Sequence, residues 1–360
     1  MASNRPTLAD VAAAAGVSVS TASLAFSGAG PIAATTKDRV LAAAVALDYS
    51  GPNPLGRQLR SGRSGIVGVL IGDQLRRSFR DPVSIQMLDG LASTLGPLGF
   101  GVLLIPGAAD EPPAHLDPLV ESAVMDVAVL ICGATADDAN LATLRRRGIP
   151  VISVEGEPLE GVTEVGIEDR VGAAELGRHV LGLGHERIAI VSLPFDWQRR
   201  SGVASSARLA EIRWEIPRRR LAGLTDAGIT PVAIYETPAS LVEHGKAAGH
   251  ALLAGPDRPT AIIAHSDLLA SGVVLAAREL GLRVPQDVSV AGFDGLDLPW
   301  LAPDVLTSVS QPLAEKGAVI GRAVQALMSG DLPGPETLGM TLQIGTTTGP
   351  PPARRAVPDA

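Results

Sequence analysis

The sequence predicts a small all-α headpiece followed by a larger α/β body of two similar lobes. Three observations lead there. Residues 7–27 hold two short helical runs separated by a glycine, the pattern of a helix-turn-helix. From Gly65 onward, apolar strand runs alternate with amphipathic helices, which implies parallel sheets covered by helices on both faces. There are too many such strands for one tidy sheet, so two lobes are expected.

The elements follow in order. Thr7 is placed to cap the first helix, with Asp10 three residues later as its capping-box partner. Leu8, Val11, Ala12 and Ala15 repeat at helical spacing, and Gly16 ends the helix because the turn wants positive φ. Ser18 is placed to cap a second helix over residues 19–26, and residues 27–31 form a loop. A third helix over 34–47 puts Val40, Leu41, Ala44 and Leu47 on one face. The Gly51-Pro52-Asn53-Pro54 run breaks the chain, and a short helix over 55–60, too short to be stable alone in water, can follow it. In the body, strands are expected at 66–71, 101–105, 127–132, 151–154, 187–192, 232–235, 261–265 and 288–291. Helices are expected at 85–98, 140–147, 171–182, 218–227, 245–253, 267–280 and 315–328. Ligands of such sheets bind at the carboxyl ends of strands, here in the cleft between lobes. Residues 195–217 are less regular and hold Phe195, Trp197, Trp214, Arg199, Arg200, Arg208 and Arg213. They read as a surface excursion with its own small apolar contact, or more sharply as a lid or partner contact.

Composition narrows the classes. The chain of 360 residues has room for two or three domains. No apolar run reaches membrane-spanning length and no secretory signal opens the chain, so a cytoplasmic protein without a membrane partner is expected. The single cysteine, Cys132, lies in an apolar strand run and reads as a buried thiol. The net charge is −8, but residues 1–64 hold six Arg/Lys against three Asp, a charge of +3, which leaves −11 on the rest. A basic module on an acidic body is the asymmetry expected when one end meets phosphates. No His-Glu-x-x-His, Gly-x-Ser-x-Gly or Gly-x-Gly-x-x-Gly occurs, so neither catalysis nor a cofactor is expected.

Several motifs together resemble the LacI/GalR family of transcriptional regulators over about residues 5–348. They are Thr7-Leu8-Ala9-Asp10-Val11-Ala12, Ala15-Gly16-Val17-Ser18-Val19-Ser20-Thr21-Ala22-Ser23, and Pro52-Asn53-Pro54-Leu55 with Leu59 and Gly62-Arg63. The body adds Gly184-His185-Glu186-Arg187, Arg220-Leu221-Ala222-Gly223, Ser266-Asp267, and Val284-Pro285 through Phe293-Asp294. The resemblance implies a helix-turn-helix domain over 1–50, a hinge helix over 51–64, and an effector-binding core over 65–348. That core is periplasmic-binding-protein-like, with two Rossmann-like lobes at about 65–166 plus 311–337 and 167–310 plus 338–345. A disordered tail is expected over 349–360. The implied partners are a palindromic operator DNA, a second copy of the chain, and a small-molecule effector, a sugar or related polyol with a purine as the alternative. No coiled-coil heptads follow Thr348, which favours a dimer over a tetramer.

At the DNA end, the second helix becomes the recognition helix, with Val19 and Ser20 at base edges. Leu24 stands where better-known members carry an arginine; it can pack on a thymine methyl or in the protein core, but cannot fork onto guanine. Ser18, Thr21 and Ser23 suit phosphates, and Ser18 also suits helix capping. Asn53, Arg57 and Arg60 are candidates for the DNA backbone, and Leu59 for the wedge between base pairs that bends the duplex. At the effector end the resemblance marks Glu155, Arg220, Ser266, Asp267 and Asp294, with Phe79 and Asp81 in the loop after the first strand. Carboxylates with an arginine suit vicinal hydroxyls. The bland alternatives are that Asp267 caps its helix and Asp294 steadies the turn after it. The family often has Asn where Ser266 stands, and its arginine before the final Ser/Thr run is Gly345 here. Two other classes fit parts of the chain: a sugar-binding protein of a transport system, and a nucleotide-dependent enzyme.

Overall fold

The computed structural model describes residues 6–28, 30–51, 63–72, 74–107, 116–131 and 133–353. It divides into two compact units, residues 1–64 and 65–360.

The first unit is three helices, α1 (Leu8–Ala14), α2 (Val19–Ser27) and α3 (Ala34–Ala46). The Thr7 hydroxyl caps α1 and Asp10 returns a carboxylate to the Thr7 amide, so the capping box forms as its spacing predicts. Gly16 takes φ +63° in the turn, and Ser18 accepts from the Thr21 amide to start α2. Val11, Ala12, Ala22, Ala25, Val40 and Ala44 form the core, and Phe26 meets Tyr49 edge-on beside it. Helices this short hold because each buries an apolar stripe against the other two. The expected hinge helix, with Asn53, Arg57, Leu59 and Arg60, lies outside the described residues, as does Cys132.

The second unit holds two sheets. The first is parallel, in the order β12-β5-β4-β3-β1-β2: β1 (Ile66–Ile71), β2 (Gly101–Pro106), β3 (Val127–Ile131), β4 (Val151–Val154), β5 (Val162–Ile167) and β12 (Glu336–Leu338). The other runs β13-β11-β10-β9-β6-β8-β7. Its strands are β6 (Ile188–Ser192), β7 (Gly202–Val203), β8 (Ala233–Glu236), β9 (Ala261–Ala264), β10 (Ser289–Asp294), β11 (Thr307–Ser310) and β13 (Thr341–Gln343), parallel except at the edges β7 and β13. The first lobe carries α4 (Leu75–Ser78), α5 (Pro82–Leu95), α6 (Pro118–Ser122), α7 (Ala139–Arg146) and α13 (Leu313–Ser329). Its partner carries α8 (Asp169–Gly182), α9 (Ser206–Ala210), α10 (Glu215–Asp226), α11 (Val242–Leu253) and α12 (Asp267–Glu279). The chain passes between the sheets three times, after β5, β11 and β12.

Both lobes have a core on each sheet face, built from the continuous apolar strands that doubly covered parallel sheets require. In the first lobe α5 and α13 cross at van der Waals contact of their backbones. A Cβ on Gly90 would fall 2.3 Å from the Ala314 carbonyl oxygen, and one on Gly317 2.2 Å from that of Met87.

Several expectations are corrected. Strands β5, β7, β11, β12 and β13 add to the expected set; they are short or carry Thr, Ser and Glu rather than apolar runs. Helix α10 starts at Glu215, so Arg220 does not open it but lies in its second turn. The tail is not loose from 349: the Gly349 amide donates to Ser289 Oγ, and its carbonyl lies 2.8 Å from His185 Nε2. Gly345 fits where a side chain would not, since its Cβ would meet the Val305 carbonyl at 2.1 Å.

Candidate functional site

In the headpiece, α2 presents Val19 and Ser20 to solvent, with Ser23 and Leu24 half-buried one turn later. The Ser18 hydroxyl lies 2.8 Å from both Ser20 Oγ and Thr21 Oγ1, so three hydroxyls cluster at the helix start.

In the body, a cavity of about 260 Å³ lies between the lobes at the carboxyl ends of the central strands. A continuous polar chain forms its floor. Lys316 Nζ, on α13, donates to Glu155 Oε1 at 2.5 Å and to Gln311 Oε1 at 2.8 Å. Gln311 Nε2 donates to Asp294 Oδ1 at 2.6 Å, and the Arg220 guanidinium stands 3.8 Å from the same oxygen. Arg220 also donates from Nε to Asp169 Oδ1 at 2.8 Å and from Nη1 to the His265 carbonyl, and it stacks on Phe293. The line thus runs from Glu155 in one lobe to Asp169 in the other, and every member is buried. Glu155 sits at φ +62° and Asp294 at φ +127°, conformations that cost free energy for residues with a Cβ and concentrate at functional sites.

The electrostatics are tight because burial removes water. Burial pushes the Glu155 carboxyl up, but Lys316 beside it, with Arg220 and Arg219, holds it below the ordinary range. Asp294 is raised well above its usual value, first by burial and then by the charges of Asp267 and Asp81, against the pull of Arg220. Burial also raises Asp169 despite Arg220, and lifts Asp267 to about 6. His265 is driven down to about 3 by burial and by Arg220. Among buried side-chain atoms of the described residues, Asp169 Oδ2 and His265 Nε2 lack a hydrogen-bond partner.

Of the seven effector candidates, Asp81, Glu155, Arg220, Ser266 and Asp294 line the cavity. Phe79 is not on its wall; it closes α4 and is half exposed. Asp267 lies behind the wall. Its carboxylate accepts from Ser308 Oγ at 2.6 Å and from the Leu296 amide at 2.7 Å, bracing the loop after β10. The cap of α12 is Ser266, not Asp267: its Oγ accepts from the Leu269 amide and also from Ser240 Oγ at 2.8 Å. Asp81 caps α5 through the Val83 amide. Sequence reasoning missed Lys316 and Gln311. Lys316 left a signal, as a lone cation between Leu313 and Ile320 on an apolar helix face.

The irregular segment 195–214 is a cavity wall rather than a surface excursion. Arg208 is buried between Asp196 and Glu236, bonding to Asp196 at 2.6 and 2.9 Å and to Glu236 at 2.7 and 2.8 Å, over the fully buried ring of Phe195. On this anchor, Trp214 and Arg199 line the cavity, the guanidinium 5.1 Å from the indole centroid. Around the rim, side chains tie the lobes together. Arg80 meets Glu243 at 2.7 Å, Arg213 meets Asp137 at 3.5 Å, and Arg219 reaches Glu164 at 3.6 Å and the Gly156 carbonyl. No single helix among the described residues is long and apolar enough to cross a membrane.

Comparison with known proteins matches both units. Residues 7–53 fit the family described as bacterial regulatory proteins, lacI family, and residues 178–348 fit a periplasmic binding protein-like domain. An HTH-type transcriptional regulator of Mycobacterium tuberculosis is 34% identical over 96% of this chain and 98% of its own. The HTH-type transcriptional regulator IpsA of Corynebacterium glutamicum is 30% identical over 96% and 98%. Among solved structures, a LacI-family regulator from Corynebacterium glutamicum has a TM-score of 0.70 at 26% identity, covering 96% of this chain and 99% of that one. The transcriptional regulator CelR in complex with cellobiose has a TM-score of 0.67 at 25% identity over 95% and 100%.

Proposed function

Because the chain belongs to the lacI family of bacterial transcriptional regulators, we propose that it is a dimeric repressor whose hold on a palindromic operator is set by a sugar or related polyol bound between its lobes. It is a DNA-binding regulator and not an enzyme, as its relatives are.

The observation that carries the effector reading is the polar chain Glu155–Lys316–Gln311–Asp294–Arg220 along the cavity floor. It sets carboxylates, an amide and two cations side by side. Such a surface accepts from and donates to adjacent hydroxyls at once, and Ser240 and Ser266 extend it. Trp214 supplies a flat apolar wall suited to one face of a sugar ring. The same indole favours a purine as the second reading. At the other end, Ser18, Val19, Ser20, Thr21, Ser23 and Leu24 would meet the major groove. Asn53, Arg57 and Arg60 would meet phosphates, and Leu59 would enter the minor groove.

A ligand that occupies this floor stabilises the folded chain by mass action. In a thermal-shift series of aldoses, disaccharides, cyclitols and nucleobases, a polyol is expected to raise the unfolding temperature and to change operator affinity over the same concentration range. Gln311→Ala and Asp294→Asn should lose the shift. A compound that shifts both variants as it shifts the parent binds elsewhere, and the floor then has no effector role.

A further inference from the structure

From Val11 to Thr36 the chain carries no charged side chain, and no Asn, Gln or His. That span includes the whole of α2. The major groove is read by a small set of pairings: Arg or Lys on guanine, Asn or Gln on adenine, Asp or Glu on cytosine, and apolar groups on the thymine methyl. The first three are unavailable to this helix. Serine and threonine bond to any base edge and discriminate little. Here the hydroxyls of Ser18, Ser20 and Thr21 are also tied to one another.

Two apolar side chains remain on the outward stripe. Val19 is half exposed at the first helical position. Its β-branched side chain is stiff in a helix, so its methyl groups are held in place before contact. Leu24 lies half-buried one turn beyond Ser20, close beside Gly30: a Cβ there would come within 3.1 Å of Leu24 Cδ2. The opposite face is spent on the core through Ala22 and Ala25.

We infer that α2 identifies its half-site by thymine methyl groups, with Val19 and Leu24 as the two specificity-determining side chains and the neighbouring hydroxyls holding register. This rests on the helix-turn-helix entering the major groove, as proposed above, and goes beyond it by naming the chemical group that is read.

The test uses the full chain. Duplexes are selected from a random pool, and the enriched sequence is remade with each thymine in turn replaced by uracil, which removes only the C5 methyl. Minor-groove contacts do not see that methyl, so any hinge contribution stays constant. At one or two positions per half-site the loss should weaken binding about three- to fivefold, the worth of one buried methyl. Replacing such a thymine by cytosine should weaken binding, and 5-methylcytosine at that position should recover part of the loss. Val19→Ala and Leu24→Ala should each abolish uracil sensitivity at one position, and Leu24→Arg should shift the preference there to guanine. Sequence-specific binding that tolerates uracil throughout would overturn the inference and leave the operator reading intact. Failure to enrich any sequence would overturn both. The uracil series uses the unaltered protein, so the result does not depend on the variants folding.

Discussion

His265 shows at the scale of one residue how the buried polar groups behind the interlobe cavity constrain stability. Its Nδ1 bonds Ser192 Oγ at 3.1 Å, its Nε2 is buried without a partner, and its carbonyl receives Arg220. Burial and the guanidinium drive its pKa down to about 3, so the folded chain keeps it neutral while the unfolded chain protonates it near 6.5. The unfolded state therefore binds more protons between those values, and stability falls as pH drops from 6.5 toward 3. The loss from this group alone should reach about 2 kcal/mol by pH 5. His265→Gln should flatten the acid limb of the stability profile measured by urea unfolding; a profile parallel to that of the parent would refute the assignment. Residues of the site were unevenly legible in the sequence. Glu155, Arg220 and Asp294 came from motif position, and the geometry brings them together. Asp267 shares a motif with Ser266, yet its carboxylate faces the loop after β10, which only the folded backbone decides. Gln311 was hidden because β11, which carries it to Asp294, has the sequence Thr-Ser-Val-Ser and gives no apolar signal.

At the scale of elements, the segment from Phe195 to Trp214 depends on one cation. Arg208 is the counter-charge shared by Asp196 and Glu236, and all three are buried. Removing the arginine alone leaves two buried carboxylates without their ion-pair partner, which costs about 3–5 kcal/mol. Arg208→Met should therefore lower stability by about that amount, and adding Glu236→Leu should recover part of it. Equal stability of Arg208→Met and the parent, by calorimetry, would show that the cluster anchors nothing. Pattern reading failed on this segment because its order comes from ion pairs between residues 12 and 28 positions apart rather than from any helical or strand period. The headpiece was legible for the opposite reason. Its caps, turn glycine and apolar stripe are all local, and the capping box and α2 form where spacing places them.

For the body as a whole, the lobes are joined by covalent crossings and by exposed ion pairs, and the two differ in their response to salt. Arg80–Glu243 and Arg213–Asp137 are largely solvent-exposed, so each contributes at most about 1 kcal/mol and is screened at high ionic strength. Arg219, at 23% exposure, is better shielded. Closure without ligand should then weaken as salt rises. With a donor–acceptor dye pair across the cleft mouth, transfer efficiency should fall between 50 mM and 0.5 M salt. Arg80→Ala with Arg213→Ala should show the low value at both; a salt-independent signal that the double variant leaves unchanged would exclude a latch. The two-lobe plan was legible because strand–helix alternation repeats along the body. The edge strands β12 and β13 were not, since three residues carry too little pattern to be distinguished from a loop.

The three passages of the chain between the sheets have a consequence for synthesis. The first lobe takes α13 and β12 from the far end of the sequence, and Val319, Ile320 and Val324 of that helix fill its core. The ribosome must therefore make all of the second lobe except its edge strand β13 before the first receives its last helix and strand. Neither half can be finished while the nascent polypeptide is still short, and no truncation at the midpoint would yield a self-sufficient fragment.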